Sequence, residues 1–473
     1  MTVQSESYGN GKPRLVQRLG IVPFLCYLTA VAMLHALYYC PEQVLTLCNL
    51  LAYAWGGLLG VALLIQERPY RPTHRAFPLF VLVMGFLLAY LMTVLVNPQK
   101  VENLKGLASM GIQLVVVFFY LSTLDRKQSK RLLTLLSALV VAMTFLASAI
   151  SLTLYVIDRI PPVMENRFAG IYINPNTTVV GLLSLFLSVY FFMAGRRWLR
   201  WFHGLNILVQ LLVTIFSASR AVRVVTYVFL ILLSVYCFFM RKQYNPRWAL
   251  LTAIFVLIGG FISVMGIQAA APYLQIHPTV QETSVASSPL KDQASLPPFS
   301  PMPTDNGSIT SRPAEESEAS SAIRLQMIRG GLRTLSRHPI LGVGVRNIPT
   351  IVRAENADLN LFGIENGGLH NSYLQLLVAN GLLGFLFMVS LALYSCKVIL
   401  VWNQKKDPAI WFFFLYLVCI CAHGMFEVSF LFSNSITALT FWASLGFLMS
   451  QSTGSSDYPQ LLHSVPQREE DAA

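Results

Sequence analysis

The sequence predicts an all-α polytopic membrane protein with about twelve transmembrane helices, and three observations carry that prediction. Apolar residues make up 55% of the 473 and charged residues only 12%, against about 25% charged in a soluble domain. The apolar residues fall into blocks of roughly twenty, the length that crosses about 30 Å of hydrocarbon as a helix. Basic residues are dense in every second connection between blocks, as in short cytoplasmic loops.

In order, the blocks predict spans near 21–39, 44–65, 76–96, 104–124, 132–157, 177–194, 204–219, 221–240, 248–268, 370–401, 408–431 and 433–451, with ends good to a few residues. Two connections, at 219–221 and between the last two blocks, are tight. Eleven spans is therefore the other count, and the charge alternation favours twelve. Met1 to Gly20 is polar, with Lys12, Arg14 and Arg18, and no small-residue cleavage pattern follows the first block, so that block reads as a retained span. The seven cysteines lie within or beside spans and none in the largest loop, which indicates neither a disulfide framework nor a zinc site.

With the N-terminus in the cytoplasm, 20 of the 34 Lys and Arg residues fall on that side, in clusters such as Arg126–Arg131 and Arg196–Arg200. Only six lie near short external connections: Lys100, Lys105, Arg159, Arg167, Arg220 and Arg223. Topology and contact with anionic lipids account for the formal charge of +12, so nucleic acid binding is an unnecessary reading. The chain then divides into a nine-span bundle (1–268), an external loop (269–369), C-terminal spans (370–451) and a cytoplasmic tail (452–473).

Residues 278–320 are rich in Ser, Pro, Thr and Glu, too poor in large apolar groups to offset ordering entropy, and are expected to be a disordered spacer. Residues 321–337 have helical period, with Leu325, Ile328, Leu332 and Leu335 predicted on the packed face and Arg329, Arg333 and Arg337 opposite. Arg324 projects near the apolar stripe, toward whatever the helix packs on. Residues from His338 onward break this lateral helix and read as a lid over the external mouth.

Ionisable groups at membrane depth are costly and face a protein interior or a cavity. Arg220 and Arg223, three apart in Ser217-Ala-Ser-Arg-Ala-Val-Arg223, share one helix face at the external end of adjacent spans. Arg167, Asn174 and Asn176 reach the same side, although Asn-Pro-Asn is often only a helix start. His423 and Glu427, spaced by four, read either as a satisfied buried pair or as functional groups. Guanidinium groups gathered in an external pocket suit a phosphate or pyrophosphate, and at a membrane the natural carrier is a lipid-linked phosphate.

Against this background the block His370-Asn-Ser-Tyr-Leu-Gln-Leu-Leu-Val-Ala-Asn-Gly-Leu-Leu-Gly384 acquires a meaning. With Arg167-Phe-Ala-Gly-Ile-Tyr-Ile-Asn-Pro-Asn176, Ser217-Ala-Ser-Arg220-Ala, Ser321-Ala-Ile-Arg324 and His338-Pro-Ile-Leu-Gly-Val-Gly344 ahead of it, it resembles the motifs of the O-antigen ligase and O-antigen polymerase superfamily, in the family's order along the chain. The resemblance implies a GT-C-like glycosyltransferase acting on the outer face of the bacterial inner membrane. It further implies an undecaprenyl-pyrophosphate-linked glycan as donor, a lipid or glycan acceptor, and no metal, nucleotide sugar or other cofactor. On that resemblance His370 stands at the essential histidine, Arg220 at the essential arginine and Arg324 at a further basic position. Ala-Val-Arg after Ser-Arg departs from the usual Gly-Ala, so Arg223 either joins phosphate binding or snorkels.

The residue chemistry fits. Glycosyl transfer from a pyrophosphate needs a base near the acceptor hydroxyl and cations for the leaving group. His370 is the expected base, Arg220, Arg324 and Arg223 the expected pyrophosphate ligands, and Asn371, Arg167, Asn174 and Asn176 the expected substrate-orienting groups, while Gly381 and Gly384 are expected to permit close helix packing. Ligase and polymerase share donor and motif. An anion transporter is the other class that twelve spans and clustered arginines suit, although transporter sites lie near the midplane.

Overall fold

The computed structural model describes residues 15–72, 74, 76–157, 163–164, 167–194, 197–217, 219–242, 245–270, 314–402 and 407–452. Residues 278–313 of the expected spacer and the tail from 453 onward lie outside that set, as do Lys12, Arg14, Arg75, Arg159, Arg196, Lys405, Lys406 and Arg468.

The first half is a run of long helices: α1 (Leu15–Arg18), α2 (Ile21–Leu34), α3 (Glu42–Glu67), α4 (Phe77–Val96), α5 (Lys100–Gly111), a π-helical stretch Ile112–Phe119, α6 (Tyr120–Thr123) and α7 (Arg126–Val156). A two-residue hairpin follows, β1 (Val163–Met164) with β2 (Arg167–Phe168), and then α8 (Val179–Ala194), α9 (Arg200–Phe216), α10 (Arg220–Lys242) and α11 (Pro246–Ala270). The second half holds α12 (Ala314–Arg337), α13 (Ile348–Glu355), α14 (Ile364–Gly367), α15 (Ser372–Trp402), α16 (Pro408–His423) and α17 (Ile436–Ser452).

Among the described residues nine helical segments are long and apolar enough to cross a membrane, Lys100–Thr123 counting as one, and three shorter apolar helices stand beside them, Ile21–Leu34, Pro408–His423 and Ile436–Gln451. The chain is an all-α polytopic membrane protein. Large apolar side chains such as Leu58, Leu88, Leu146, Phe255 and Leu393 point outward, where lipid rather than water is their solvent. Inside, α7, α8 and α9 are joined by polar groups: Ser148 donates to Gln210, Gln210 to Asn206, and Asn206 to both Ser184 and Ser188. All five are fully buried, and in a membrane such contacts substitute for the missing hydrophobic drive between helices.

Two short helices depart from their expected lengths, and both departures lie at the end of the bundle where residues 176, 370 and 427 meet. The α2 helix stops at Leu34, and residues 36–38 instead hydrogen-bond to 171–173, through Tyr38 N to Ile171 O at 2.9 Å and Ile173 N to Ala36 O at 3.0 Å. The α16 helix stops at His423 rather than near 431, leaving 424–435 as a loop between α16 and α17.

The largest correction concerns α15. Gly381 was expected to allow close packing, yet it interrupts the helix with φ 60° and ψ −168°, a conformation open essentially to glycine alone. Residues 339–344 fill the break: Val343 N and Gly344 N donate to Val378 O and Ala379 O, while Leu382 N and Leu383 N donate to Pro339 O and Ile340 O. A Cβ at Gly381 would sit 2.2 Å from Ile340 O. Thr93, Asn97 and Asn103 fasten the same segment to the α4–α5 end, so the lid expected after His338 is stitched into the transmembrane bundle.

The lateral helix also differs from its expected form. It begins at Ala314, where Ala-Glu-Glu-Ser-Glu-Ala combines good helix propensity with acidic residues at the helix start. Its buried face is Met327, Gly330, Gly331 and Thr334, while Leu325 and Leu332 are about half exposed. The glycines decide this, because Gly330 lies against Val352 and Leu361, and Gly331 against Leu369 and Leu374, at distances that leucines on that face would prevent.

Candidate active site

Five segments converge at one end of the bundle. The first is the turn before α8, where Asn174 accepts from Thr177 N and the Thr177 hydroxyl, turning the chain so that Asn176 reaches inward. The second is the start of α10. There Ser219, buried, donates to Asn176 Oδ1 at 3.2 Å, and Arg220 Nη1 donates to Ser321 Oγ of α12 at 3.2 Å. Two arginines in the first turn of a helix oppose its macrodipole, and no acidic residue in that turn offsets them. Such a place suits an anion.

The third segment is α12, which carries Arg324. The fourth is the approach to α15, where His370 has φ 48°, a left-handed conformation uncommon for a residue with a Cβ. The fifth is the loop after α16, where Glu427 gathers the others. Its Oε2 lies 2.8 Å from His370 Nδ1, and its Oε1 accepts from Arg324 Nη2 at 2.9 Å and from Asn176 Nδ2 at 3.1 Å. The Glu427 and His370 side chains are 13% and 20% exposed, so these contacts are largely shielded from water.

Burial alone would raise the Glu427 carboxyl. The His370 hydrogen bond and the nearby charges of Arg324 and the two histidines outweigh it, and the carboxyl is held below its ordinary value. An ionised carboxylate only accepts, so the hydrogen bond must come from His370 Nδ1–H. In the neutral ring this leaves Nε2 with its lone pair free to take a proton.

The loop is braced around this contact. Ser372 Oγ donates to Glu427 O and accepts from Ser429 N, and Ser372 N donates to Gly424 O. Asn371 Nδ2 donates to Met425 O, while its Oδ1 accepts from Tyr373 N and Leu374 N. Asn371 thus caps α15 and pins the α16–α17 loop, and Asn174 is likewise occupied as a cap.

Of the residues expected from the sequence, His370, Arg324 and Asn176 meet at Glu427, and Arg220 is one contact away through α12. Arg223 makes no side-chain ion pair or hydrogen bond among the described residues. Arg167 lies on β2 opposite Met164, with its side chain outside the described set. The His423–Glu427 side-chain pair does not form: the helix ends between them, Glu427 turns to His370 and Arg324, and both ring nitrogens of His423 are buried without a hydrogen-bond partner among the described residues. The buried brace of Ser219 and Ser372 was not anticipated; the only sequence signal was that each neighbours a singled-out residue. No group of three or more His, Cys, Asp or Glu side chains among the described residues could hold a metal ion.

Residues 205–389 match the O-antigen ligase family. That segment contains Arg220, Arg223, Arg324 and His370 and ends before Glu427. Over that segment, 185 of the 473 residues, the chain is similar to the O-antigen ligase family. A comparison with curated proteins finds no match. The match supports glycosyl transfer of the O-antigen ligase or polymerase type over the anion-transporter alternative. Apolar helices and family together fit a multi-pass protein of the bacterial inner membrane.

Proposed function

We propose that this protein transfers a glycan from an undecaprenyl-pyrophosphate-linked donor to an acceptor hydroxyl at the outer face of the inner membrane, a reading that the match to the O-antigen ligase family supports. The observation that carries the proposal is the Glu427 carboxylate, which touches both His370 and Arg324 and so couples a base to a cation site.

In this scheme His370 Nε2 takes the proton of the acceptor hydroxyl as its oxygen bonds to the anomeric carbon of the donor sugar. The bond from that carbon to the pyrophosphate oxygen breaks, and undecaprenyl pyrophosphate leaves with the electron pair. Glu427 stabilises the imidazolium that forms on His370, a charge absent before the proton moves, so its effect falls on the transition state. Arg220 and Arg324 meet the charge growing on the leaving group with planar donors matched to phosphate oxygens. Arg223, on the same helix and without a side-chain ion pair among the described residues, adds a further cation to the leaving-group end. Asn176 holds Glu427 in place, and Asn371 fixes the loop that carries it.

The test is transfer by purified protein in lipid, supplied with labelled undecaprenyl-pyrophosphate glycan and candidate lipid and glycan acceptors. Wild type is expected to form a new glycosidic product and to release undecaprenyl pyrophosphate, with His370→Ala and Arg220→Ala each reducing the rate at least about a hundredfold. Wild-type rates in both variants would overturn the site. The acceptor that is consumed distinguishes a ligase from a polymerase.

A further inference from the structure

We propose that Tyr38 and Tyr39, in the α2–α3 turn, form a sugar-stacking subsite for the glycan handled at the neighbouring centre. This rests on the glycosyl-transfer reading above and adds a binding surface to it.

The two rings are 57% and 59% exposed, their centroids lie 5.2 Å apart, and their planes are perpendicular at 88°. Neither hydroxyl has a hydrogen-bond partner among the described residues. They nonetheless stand on a fixed backbone. Leu37 forms an antiparallel bridge with Tyr172, and Tyr38 N donates to Ile171 O. The Tyr172 ring beneath is fully buried, and its hydroxyl lies 2.7 Å from Ser148 Oγ in the α7–α9 polar network.

Two independent ties bring this turn to the candidate centre. On one side Ile173 N donates to Ala36 O, and only three residues further along Asn176 touches Glu427, a chain distance of at most about 10 Å. On the other side His35 Nε2 lies 3.1 Å from Asn49 Oδ1, which also accepts from Asn434 Nδ2 at 3.4 Å, in the same α16–α17 loop that carries Glu427.

The C–H face of a pyranose ring carries partial positive charge and packs on the electron-rich face of an aromatic ring, whose quadrupole is negative there. Two rings set at right angles offer faces in two directions, which suits successive sugars of one chain. Tyrosines also serve as interfacial anchors in membrane proteins. At the opposite end of the bundle the exposed aromatics are Trp198, in the turn before α9, Trp201, at the start of α9, and Trp248, at the start of α11. The tyrosine pair differs in being adjacent, backbone-pinned and tied to the loop that bears Glu427.

The test compares wild type with Tyr38→Ala/Tyr39→Ala and Tyr38→Phe/Tyr39→Phe in lipid, varying donor and acceptor glycan in separate arms. The alanine pair is expected to raise KM about threefold to tenfold in the arm whose glycan stacks there, with kcat within about twofold, while the phenylalanine pair stays near wild type. In parallel, the donor's glycan is released from its lipid by mild acid and its saturation transfer from the protein is measured. Transfer is expected from wild type and from His370→Ala and is lost in the alanine pair, a readout that neither membrane anchoring nor catalysis would produce. Unchanged KM in both arms, or unchanged saturation transfer, would overturn the subsite, and a lower melting temperature with unchanged KM would assign the rings to anchoring instead. If wild type forms no glycosidic product, the proposed function fails, and glycan binding alone then decides the subsite.

Discussion

Replacing Glu427 by glutamine keeps the shape of the side chain and removes the charge that joins His370 to Arg324. The perturbation can be sized from the geometry. At 2.8 Å and an effective dielectric near 20, the bare attraction between the carboxylate and an imidazolium is about 6 kcal/mol. Both groups keep some access to water, and desolvation offsets much of that. The net worth is closer to a charge-assisted hydrogen bond, about 1.5–3 kcal/mol. Because the imidazolium exists only once the proton has moved, the loss falls on kcat, by about 10- to 150-fold, with KM for the acceptor little changed. The assay is steady-state transfer in lipid, with a thermal melt of each preparation to confirm folding. Glu427→Gln turning over within about twofold of wild type while melting normally would refute the coupling of base and cation site through this carboxylate. A stability readout accompanies it. Since the folded carboxyl titrates below the ordinary value of 4.5, its stabilising contribution is fully present above pH 4.5 and is lost as pH falls through the folded value. The melting temperature of Glu427→Gln is expected to lack that acid-side decline.

Three further outcomes follow from the fold. Gly381→Ala is expected to lower the melting temperature and the folded yield markedly, at a cost of about 3 kcal/mol or more from backbone strain and the clash with Ile340 O, whereas Gly259→Ala, where nothing lies within 4 Å of the new Cβ, is expected to be neutral or slightly stabilising. Asn371→Ala is expected to lose about 1 kcal/mol of stability with a parallel loss of activity, and Asn371→Asp, which retains the capping oxygen, to recover most of the α15 cap; transfer assays beside thermal melts would expose a separate substrate contact if activity fell without stability. His423→Leu is expected to retain transfer and to melt at or above wild type, because it removes a buried imidazole with no hydrogen-bond partner among the described residues, and a specific loss of kcat would return that histidine to the mechanism.

The limits of sequence reading show at particular residues. His423 and Glu427 are four apart, and four means one helix face only while the helix continues; it ends at His423, so the glutamate belongs to a loop and to a different partner. Gly381 and Gly384 looked alike as small residues in an apolar run, but only Gly381 takes a positive φ, because the 339–344 strand of chain supplies carbonyls and amides to a broken helix there. Of the expected stripe Ile328 and Leu335 pack on the core, whereas Leu325 and Leu332 are half exposed, since helical period does not reveal whether leucines or glycines face the neighbour most closely.

What the sequence determined by itself is what local composition can encode. Apolar stretches of span length must become helices because a backbone in lipid has no other partner for its amides, and arginines beside a membrane must have an anion, a headgroup or a carboxylate to face. Its motifs singled out Arg220, Arg324 and His370 in the segment that matches the O-antigen ligase family. The tertiary structure alone decided which of these side chains meet, and at which atom. Contacts between residues 176, 324, 370 and 427 join segments far apart in the chain, and they depend on where each helix stops rather than on how apolar it is.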